Sequence, residues 1–333
     1  MSTAPQRETS WPSLEEVLGD IRALLQRSQD IVCLAHKDAD ADSLGSSLAF
    51  AASLRAMGKR PHPMVPEPEP FLLGYLPGYD TLERAPERID AVFTFDCATL
   101  QRFGECRSLL EGDLPVVNVD HHFSNDAYGT INLIEPEASA TGQVVYRLLR
   151  ALDAPIPVEA ANNLYAAVLT DTGGFRHENT NEAALRLAAD LAALGADPAW
   201  VALNSFKSRP VSQLRLVALA VAGMRSELEG RLIWTEVTES MLRQAEARTQ
   251  ETDGIIDELQ TIDTMRIAIL FKQLAPARTK ISVRTRDEVD ATAICRPFGG
   301  GGHRRAAGAE LALPLADAED EVLAVARREL GAA

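Results

Sequence analysis

The sequence predicts an α/β protein with two domains, the larger of which has a mostly parallel sheet flanked by helices. Three observations lead to this fold class. Short apolar runs at 31–35, 91–95 and 116–119 alternate with longer segments of helical spacing. The length of 333 residues is close to that of two domains. A composition of 46% hydrophobic and 24% charged residues is typical of folded globular proteins.

The first half of the chain is expected to alternate between strands and helices. The predicted elements are, in order, a helix at 14–27, a strand at 30–35, a helix at 43–57, a strand at 91–95, a helix at 100–110, a strand at 116–119 and a helix at 140–151. The proline-rich segment 61–70 is expected to be a connector. The apolar segment 160–170 fits a strand or a buried helix, and we favour the helix.

The second half begins with a segment that predicts helices between two domains. Residues 182–224 are rich in alanine and leucine and are interrupted by Gly195, Pro198 and Pro210. We therefore expect a larger domain at 1–195, a helical linker at 196–222 and a smaller α/β domain at 223–333. The elements predicted for the smaller domain are strands at 231–237, 265–271 and 280–286 and helices at 254–261 and 318–330.

The bulk properties restrict the classes of function. A formal net charge of -15 argues against a protein that coats long nucleic acid. An anionic substrate would have to be bound by positive charge at a local site. No apolar stretch approaches the roughly 20 residues of a membrane span, so no membrane partner is expected. The scattered cysteines and the lack of a secretory leader predict reduced thiols in the cytoplasm. These cysteines are Cys33, Cys97, Cys106 and Cys295.

Four separated clusters of aspartate and histidine supply ligands for two divalent cations. They are His36 to Asp42, Asp96, Asp120 to His122, and Asp171. The first three follow predicted strands, and the carboxyl ends of parallel strands meet at one edge of a sheet. Carboxylates and imidazoles suit manganese or magnesium, and the histidines favour Mn²⁺, with Mg²⁺ as the alternative. A lone aspartate at a strand end is as often a helix cap, so the specificity lies in the set.

These residues carry a resemblance to the DHH phosphoesterase superfamily. The matching segments are His36-Lys37-Asp38-Ala39-Asp40-Ala41-Asp42-Ser43-Leu44-Gly45, Asp120-His121-His122 and Thr170-Asp171-Thr172-Gly173. The segment Gly300 to Gly308, which reads Gly-Gly-Gly-His-Arg-Arg-Ala-Ala-Gly, resembles the motif of the DHHA1 subgroup. The size and two-domain layout are similar to those of the NrnA-type oligoribonuclease and pAp-phosphatase enzymes.

The resemblance implies a role for each matching residue of the first domain. The residues it implies as metal ligands are His36 and Asp40 for one ion, Asp42, His121 and Asp171 for the other, and Asp96 as the bridge between them. Asp120 would orient a histidine and His122 would contact the substrate phosphate. Catalysis is therefore expected to involve Asp96, Asp120 and His122. Asp38 is left as a loop carboxylate or a neighbour of the ligands.

The second domain is expected to bind substrate, with the active site in the cleft between the domains. Gly300, Gly301 and Gly302 can bring backbone N–H groups close to a phosphate, although a flexible turn before a helix starting at Ala306 is the alternative. The resemblance favours Arg284 and His303 as further substrate-binding residues. The roles of four other arginines stay open: Arg286, Arg296, Arg304 and Arg305.

The function expected from these features is that of a manganese-dependent phosphoesterase. It would hydrolyse short RNA or DNA oligonucleotides (nanoRNA) to 5′-mononucleotides and also dephosphorylate pAp. One alternative is a phosphodiesterase for dinucleotides such as c-di-AMP and pApA. A non-enzymatic alternative is a nucleotide-sensing regulator with structural cations. The helix expected at 211–224 offers a surface for a homodimer, but the sequence leaves the oligomeric state open.

Overall fold

The computed structural model describes residues 11–84, 86–252 and 254–331. The chain divides into two compact units, Met1–Ser208 and Arg209–Ala333. The division lies within the segment 196–222 that was expected to link two domains. The parts of the expected domains at 1–10 and 332–333 lie outside the described residues. Both units contain a sheet with helices, which confirms the α/β class.

The first unit is built on a five-stranded parallel sheet. Its strands are β1 (Asp30–Leu34), β2 (Arg60–Met64), β3 (Ala91–Phe95), β4 (Val116–Asp120) and β5 (Ile131–Ile134). Their order across the sheet is β2-β1-β3-β4-β5, and every neighbouring pair is parallel. All residues of β1, β3 and β4 are buried, as expected for strands covered on both faces. The strand order reverses between β1 and β3, which is where α/β sheets open a crevice for ligands.

The α-helices of this unit are α1 (Leu14–Arg27), α2 (Ala41–Ala56), α3 (Thr141–Ala151), α4 (Val158–Asp171), α5 (Glu182–Ala193) and α6 (Pro198–Phe206). Helices α1, α2 and α3 pack against this sheet, and the other helices of the unit pack on them or on one another. Helix α2 is buried along residues 41–54, and α4 packs against it. The segment 160–170 is part of α4, which confirms the helix favoured by the sequence.

The connector predicted at 61–70 is wrong for its first four residues. They belong to β2, an edge strand that pairs in parallel with β1. The N–H of Arg60 donates to Gln29 O (2.9 Å) and the N–H of Ala35 donates to Met64 O (2.9 Å). Pro61 and Pro63 alternate with these paired residues, so the N–H groups they lack would point away from the sheet. The sequence predicted no strand here because proline is normally excluded from strand interiors.

The segment 100–110, predicted as one helix, forms 3₁₀ turns with a break at Gly104. Gly104 has φ 51° and ψ -129°, a conformation that favours glycine. The segment follows β3 directly, and the N–H of Lys37 donates to Arg102 O over 2.7 Å. The turns are therefore attached to the loop that follows β1.

The second unit contains a six-stranded mixed sheet in the order β10-β11-β9-β8-β7-β6. Its strands are β6 (Arg225–Glu227), β7 (Leu232–Val237), β8 (Ile267–Ala275), β9 (Arg278–Thr285), β10 (Gly301–His303) and β11 (Ala306–Leu311). Its helices are α7 (Val211–Ala222), α8 (Glu239–Ala245), α9 (Ile255–Gln260), α10 (Ala291–Cys295) and α11 (Leu315–Glu329). Only β7 and β8 are parallel neighbours in this sheet.

A helix starting at Ala306 was the alternative to a phosphate-binding loop, and the structure has strand β11 there instead. Ala307, Ala309 and Leu311 of β11 are buried, whereas the residues between them are more accessible. Every second side chain of this segment lies in the core. Such alternation is the pattern of a strand and not of a helix. Among the described residues, no helix is long and apolar enough to cross a membrane.

Candidate metal centre

The carboxyl edge of the parallel sheet brings the predicted ligands of the first unit together. His36 follows β1, Asp96 follows β3, and Asp120 is the last residue of β4. Helix α2 begins beside this edge and contributes two further carboxylates, from Asp40 as its N-cap and from Asp42 in its first turn. Asp171 is the last residue of α4, which packs on α2.

One group of potential ligand atoms comes from His36, Asp40 and Asp96, with every pair within 4.8 Å. His36 Nε2 lies 3.4 Å from Asp96 Oδ2, and His36 Nδ1 lies 2.8 Å from the carbonyl oxygen of Lys37. A neutral imidazole that donates from Nδ1 to this carbonyl carries its lone pair on Nε2. The ligand nitrogen of His36 therefore faces the carboxylate of Asp96.

A second group comes from Asp42, His121 and Asp171, again with ligand atoms within 4.8 Å. His121 Nε2 lies 3.8 Å from Asp42 Oδ2 and 3.7 Å from Asp171 Oδ2. It also lies 3.4 Å from Asp96 Oδ1. The two oxygens of Asp96 thus face different histidines, Oδ2 toward His36 and Oδ1 toward His121. This is the arrangement required of a carboxylate that bridges two ions.

Asp96 is held in an uncommon backbone conformation. Its φ is 59°, a left-handed value that aspartate tolerates better than most residues. The hydroxyl of Thr141 donates to Asp96 Oδ1 over 2.9 Å. Burial alone would raise the pKa of Asp96, but the hydrogen bond from His121 and the charges of His121 and His122 outweigh it and hold the pKa well below its usual value. Asp96 is therefore a carboxylate at neutral pH.

The other carboxylates are crowded, and this crowding fits a cation site. Burial, with repulsion from Asp96 and Asp171, raises the pKa of Asp42 well above its usual value. Burial also raises the pKa of Asp171 to about 7, against the attraction of His121. Bound cations are the largest local charges in such sites and favour ionised carboxylates. The donor set of oxygens and imidazole nitrogens suits divalent ions of the manganese and magnesium type.

Asp120 and His122 are predicted site residues whose possible ligand atoms lie within 4.8 Å of one another and of Asp96. His122 Nδ1 lies 2.7 Å from Asp120 Oδ1, and Asn125 Nδ2 donates to Asp120 Oδ2 over 2.5 Å. Burial lowers the pKa of His122, but the charge and hydrogen bond of Asp120 outweigh it, so the net shift is upward. Asp120 therefore orients His122 through Nδ1.

The second unit places Arg284 and His303 on one face of its sheet. His303 pairs with Ala306, and Ala306 pairs with Arg284 on the next strand. Directly paired residues of antiparallel strands project to the same side, and the small Ala306 lies between the two larger side chains. His303 is exposed and Arg284 is half-buried. The strand register thus places Arg284 and His303, two predicted substrate-binding residues, on the same face of the sheet.

The glycines of this unit are needed for close packing of the hairpin β10–β11. A Cβ on Gly300 would lie 2.3 Å from Gly308 O, and one on Gly302 would lie 2.5 Å from Ala306 O. Gly302 also has φ 137°, which disfavours other residues. A Cβ on Gly301 would meet nothing within 4 Å. The close packing of the hairpin therefore requires glycine at positions 300 and 302, whether or not these residues bind phosphate.

Comparison with known proteins decides the family. A model described as "DHH family, N-terminal domain" matches residues 30–170, and a DHHA1 domain model matches residues 231–332. The bifunctional oligoribonuclease and PAP phosphatase NrnA of Thermus thermophilus is 30% identical over 305 residues, which are 90% of each chain. The chain belongs to the DHH/DHHA1 phosphoesterase family.

A further relative agrees with this assignment, and a solved structure shares the fold. The probable bifunctional oligoribonuclease and PAP phosphatase NrnA of Streptococcus mutans is 24% identical over 302 residues, covering 90% of this chain and 95% of the relative. A crystal structure of an exopolyphosphatase-related protein from Bacteroides fragilis superposes with a TM-score of 0.82 at 21% identity. It covers 95% of this chain and 96% of that one, so the fold of this DHH/DHHA1 phosphoesterase matches a solved structure.

Thr141 and Asn125 are among the residues of the DHH unit that contact the predicted site residues but were missed from the sequence. Thr141 donates to Asp42 and Asp96 from a position 99 residues beyond Asp42. Asn125 donates to Asp120 and is itself hydrogen-bonded by Asn118. Nothing in their local sequence marks either residue. The packing of α3 beside α2 identifies Thr141, and the folding of the loop after β4 back onto Asp120 identifies Asn125.

Proposed function

We propose that this DHH/DHHA1 phosphoesterase hydrolyses short oligonucleotides to 5′-mononucleotides with two divalent cations and also dephosphorylates pAp. The observation that supports this most directly is the position of Asp96 between the two ligand groups, with one oxygen 3.4 Å from His36 Nε2 and the other 3.4 Å from His121 Nε2. The names of the NrnA relatives, as oligoribonucleases and PAP phosphatases, give the substrate class.

In this proposal each ligand group holds one ion. The proposed ligands are His36, Asp40 and Asp96 for the first ion and Asp42, Asp96, His121 and Asp171 for the second. Mn²⁺ is the proposed ion because imidazole nitrogens join the carboxylates, with Mg²⁺ as the alternative. When bound, two such ions supply an activated hydroxide and stabilise charge on the attacking and leaving oxygens.

The chain itself would position the reacting phosphate. Asp120 fixes His122 through Nδ1, so that Nε2 of His122 is the nitrogen proposed to contact a phosphate oxygen. Asp96 stays ionised because the hydrogen bond from His121 and the charges of His121 and His122 hold its pKa well below the usual value. Thr141 holds Asp42 and Asp96 together by donating to both carboxylates. Each of these contacts is formed within the first unit.

The second unit is proposed to bind the part of the substrate that does not react. Arg284 and His303 share one face of its sheet, and a guanidinium forms strong paired hydrogen bonds with phosphate. We propose that this face holds the 5′ or 3′ phosphate of a short oligonucleotide. The location of the active site between the two units stays a prediction from the sequence.

Turnover of a panel of substrates tests the proposal. Labelled RNA dimers to pentamers, longer single strands, pAp and c-di-AMP would each be incubated with Mn²⁺, with Mg²⁺ and with chelator. We expect 5′-mononucleotides from the short RNAs and release of phosphate from pAp, both abolished by chelator. A clear preference for c-di-AMP or pApA would favour the dinucleotide phosphodiesterase instead. Nucleotide binding without turnover of any substrate would favour a regulator and overturn the proposal.

The bridging role of Asp96 is tested by Asp96→Ala in the same assays. We expect loss of detectable turnover with the fold retained, because both ligand groups lose a shared oxygen donor. The exposed Asp113 supplies the matched control, Asp113→Ala, which should retain full turnover. Mn²⁺-dependent turnover that survives in Asp96→Ala would contradict the bridging role.

A further inference from the structure

Arg102 is an arginine of the first unit that neither the motifs nor the ligand groups include. It lies in the 3₁₀ turns that follow Asp96 by a few residues, and its side chain is exposed. The turns are fixed to the loop carrying His36, because the N–H of Lys37 donates to Arg102 O over 2.7 Å. Arg102 is thus held at the border of the first ligand group.

The guanidinium of Arg102 contacts the imidazole that is proposed to bind the first ion. Its Nη2 lies 3.0 Å from both ring nitrogens of His36. If Nδ1 of His36 donates to Lys37 O, only Nε2 can accept from the arginine. Within residues 11–84, 86–252 and 254–331, the side chain of Arg102 forms hydrogen bonds to His36 and no ion pair with a carboxylate.

The same lone pair on His36 Nε2 cannot serve both an ion and a guanidinium. A cation on Nε2 also repels the permanent positive charge of Arg102, because arginine does not lose its proton in proteins. The long exposed side chain can turn, and its donors then need another acceptor. A phosphate oxygen at the first ion is an anionic acceptor of suitable geometry.

We propose that Arg102 binds a non-bridging oxygen of the substrate's scissile phosphate when the metal site is loaded. The inference rests on the proposed function and deepens it, because it adds a cation from the first unit to the substrate contacts assigned to the second. The ligand class is a phosphate mono- or diester. The contact strengthens as negative charge develops on the phosphoryl oxygens during attack.

The direct test is binding of inorganic phosphate to the Mn²⁺-loaded protein, measured by isothermal titration calorimetry. Arg102→Ala should weaken this binding roughly 10- to 100-fold, as expected for loss of a hydrogen bond to a charged group. Affinity for Mn²⁺ itself should be unchanged or higher, because a competing cation is removed. Arg107→Ala is the matched control, since Arg107 lies in the same turns and pairs with Glu111 instead.

Turnover gives a second readout. Arg102→Ala should lower kcat on an RNA dimer by about 100-fold, the effect of removing one donor to a developing oxyanion. Free guanidinium ion should restore part of the lost rate, and should not affect the Arg107→Ala variant. Arg102→Lys should recover only part of the rate, because an ammonium lacks the planar fork.

The outcomes separate this inference from the proposed function. Unchanged phosphate binding and unchanged kcat in Arg102→Ala, with an active wild type, would overturn the inference and leave the proposed function intact. A loss of Mn²⁺ affinity in Arg102→Ala would also overturn it, because the arginine would then act by orienting His36. If the wild type turns over no phosphate ester, the proposed function fails, and phosphate binding still decides whether Arg102 is an anion contact.

Discussion

The backbone N–H of Thr141 donates to Oδ2 of Asp42 over 2.7 Å, although the two residues are 99 positions apart in the sequence. The N–H of the next residue, Gly142, donates to Oδ1 of the same carboxylate over 2.9 Å. Both N–H groups lie at the start of α3, where backbone donors lack intrahelical partners and the helix dipole favours negative charge. The hydroxyl of Thr141 reaches Asp96, so one residue fixes carboxylates of both ligand groups.

Thr141→Val should weaken metal binding more than it weakens the fold. The valine keeps the shape and the backbone N–H but removes the donor to Asp96 Oδ1. We expect Mn²⁺ affinity to fall roughly 10- to 100-fold, the usual cost of losing a partner of a ligand. The expected loss of unfolding free energy is only about 1 kcal/mol. Calorimetric titration with Mn²⁺ and urea unfolding measure the two effects.

The matched control for Thr141 is Thr130→Val. The hydroxyl of Thr130 bonds the backbone of Val116 at the other end of the parallel strands. This variant should lose a similar amount of stability and keep its Mn²⁺ affinity. Equal Mn²⁺ affinities in the two variants would show that the Thr141 hydroxyl does not support the ligands.

Asn125→Ala should lower kcat through the orientation of His122. Asn125 Nδ2 donates to Asp120 Oδ2, and Asp120 holds His122 Nδ1 through its other oxygen. Without the amide, Asp120 can rotate and release the imidazole, so we expect kcat to fall roughly 10- to 100-fold. Substrate affinity and Mn²⁺ affinity should change much less, since neither residue belongs to the proposed ligands. Steady-state kinetics on an RNA dimer separates kcat from KM.

Asn132→Ala provides the comparison for Asn125. Asn132 bonds Gly129 and Asn118 within the same buried network but does not reach Asp120. The Asn132→Ala variant should therefore have a lower free energy of unfolding and an unchanged kcat. A similar fall of kcat in both variants would mean that general loosening of the network, and not the Asp120 contact, is responsible.

The stability of the first unit should depend on pH through Asp30. Hydrogen bonds from Arg60 lower the pKa of Asp30 from 3.8 to about 2. Between these two values the unfolded chain binds more protons than the folded one, so this contribution is complete above pH 3.8 and is lost as the pH falls toward 2. Asp30→Asn should lack this dependence. Urea unfolding of both proteins between pH 2 and pH 5 gives the difference.

The pH dependence needs its own control, because many carboxylates titrate in the same range. Asp113→Asn removes an exposed carboxylate without affecting the Arg60 contact. Its stability should follow that of the wild type across the acid range. If Asp30→Asn also follows the wild type, the ion pair with Arg60 does not contribute to acid stability.

Gly302→Ala should destabilise the second unit. The added Cβ would lie 2.5 Å from Ala306 O and 2.8 Å from Ala307 Cα, at a φ of 137°. We expect a loss of roughly 1–3 kcal/mol of unfolding free energy from backbone strain. Gly301→Ala meets nothing within 4 Å and should stay within about 0.5 kcal/mol of the wild type. Equal stabilities in urea unfolding would show that the hairpin accommodates a side chain at both positions.

The sequence predicted the strands that carry the candidate site because burial on both faces gives short apolar runs, too short for a typical helix. Strands β1, β3 and β4 were predicted almost to the residue, and the acidic and histidine residues after them do come together. Their roles as ligands stay a proposal. The helix at 160–170 was favoured correctly, although its apolar pattern alone did not exclude a strand.

The missed features depend on contacts between distant residues. Strand β2 carries two prolines and forms only because β1 offers a paired edge. The segment 306–311 has small residues that suit helix or strand, and pairing with β9 selects the strand. Thr141 acts on Asp42 and Asp96, which lie 99 and 45 positions away in the sequence. Local propensity contains no information on such partners.

The prolines of β2 also determine how the first unit can meet other polypeptides. On the outward side of this edge the ladder donors would come from positions 61 and 63, and both lack an N–H. A strand from another molecule would find no backbone N–H donor at these two positions, and the carbonyl oxygen of Pro63 already accepts from the N–H of Glu83 over 2.8 Å. The parallel sheet is therefore closed to extension by a further strand on this side, and aggregation through exposed strand edges would have to begin elsewhere.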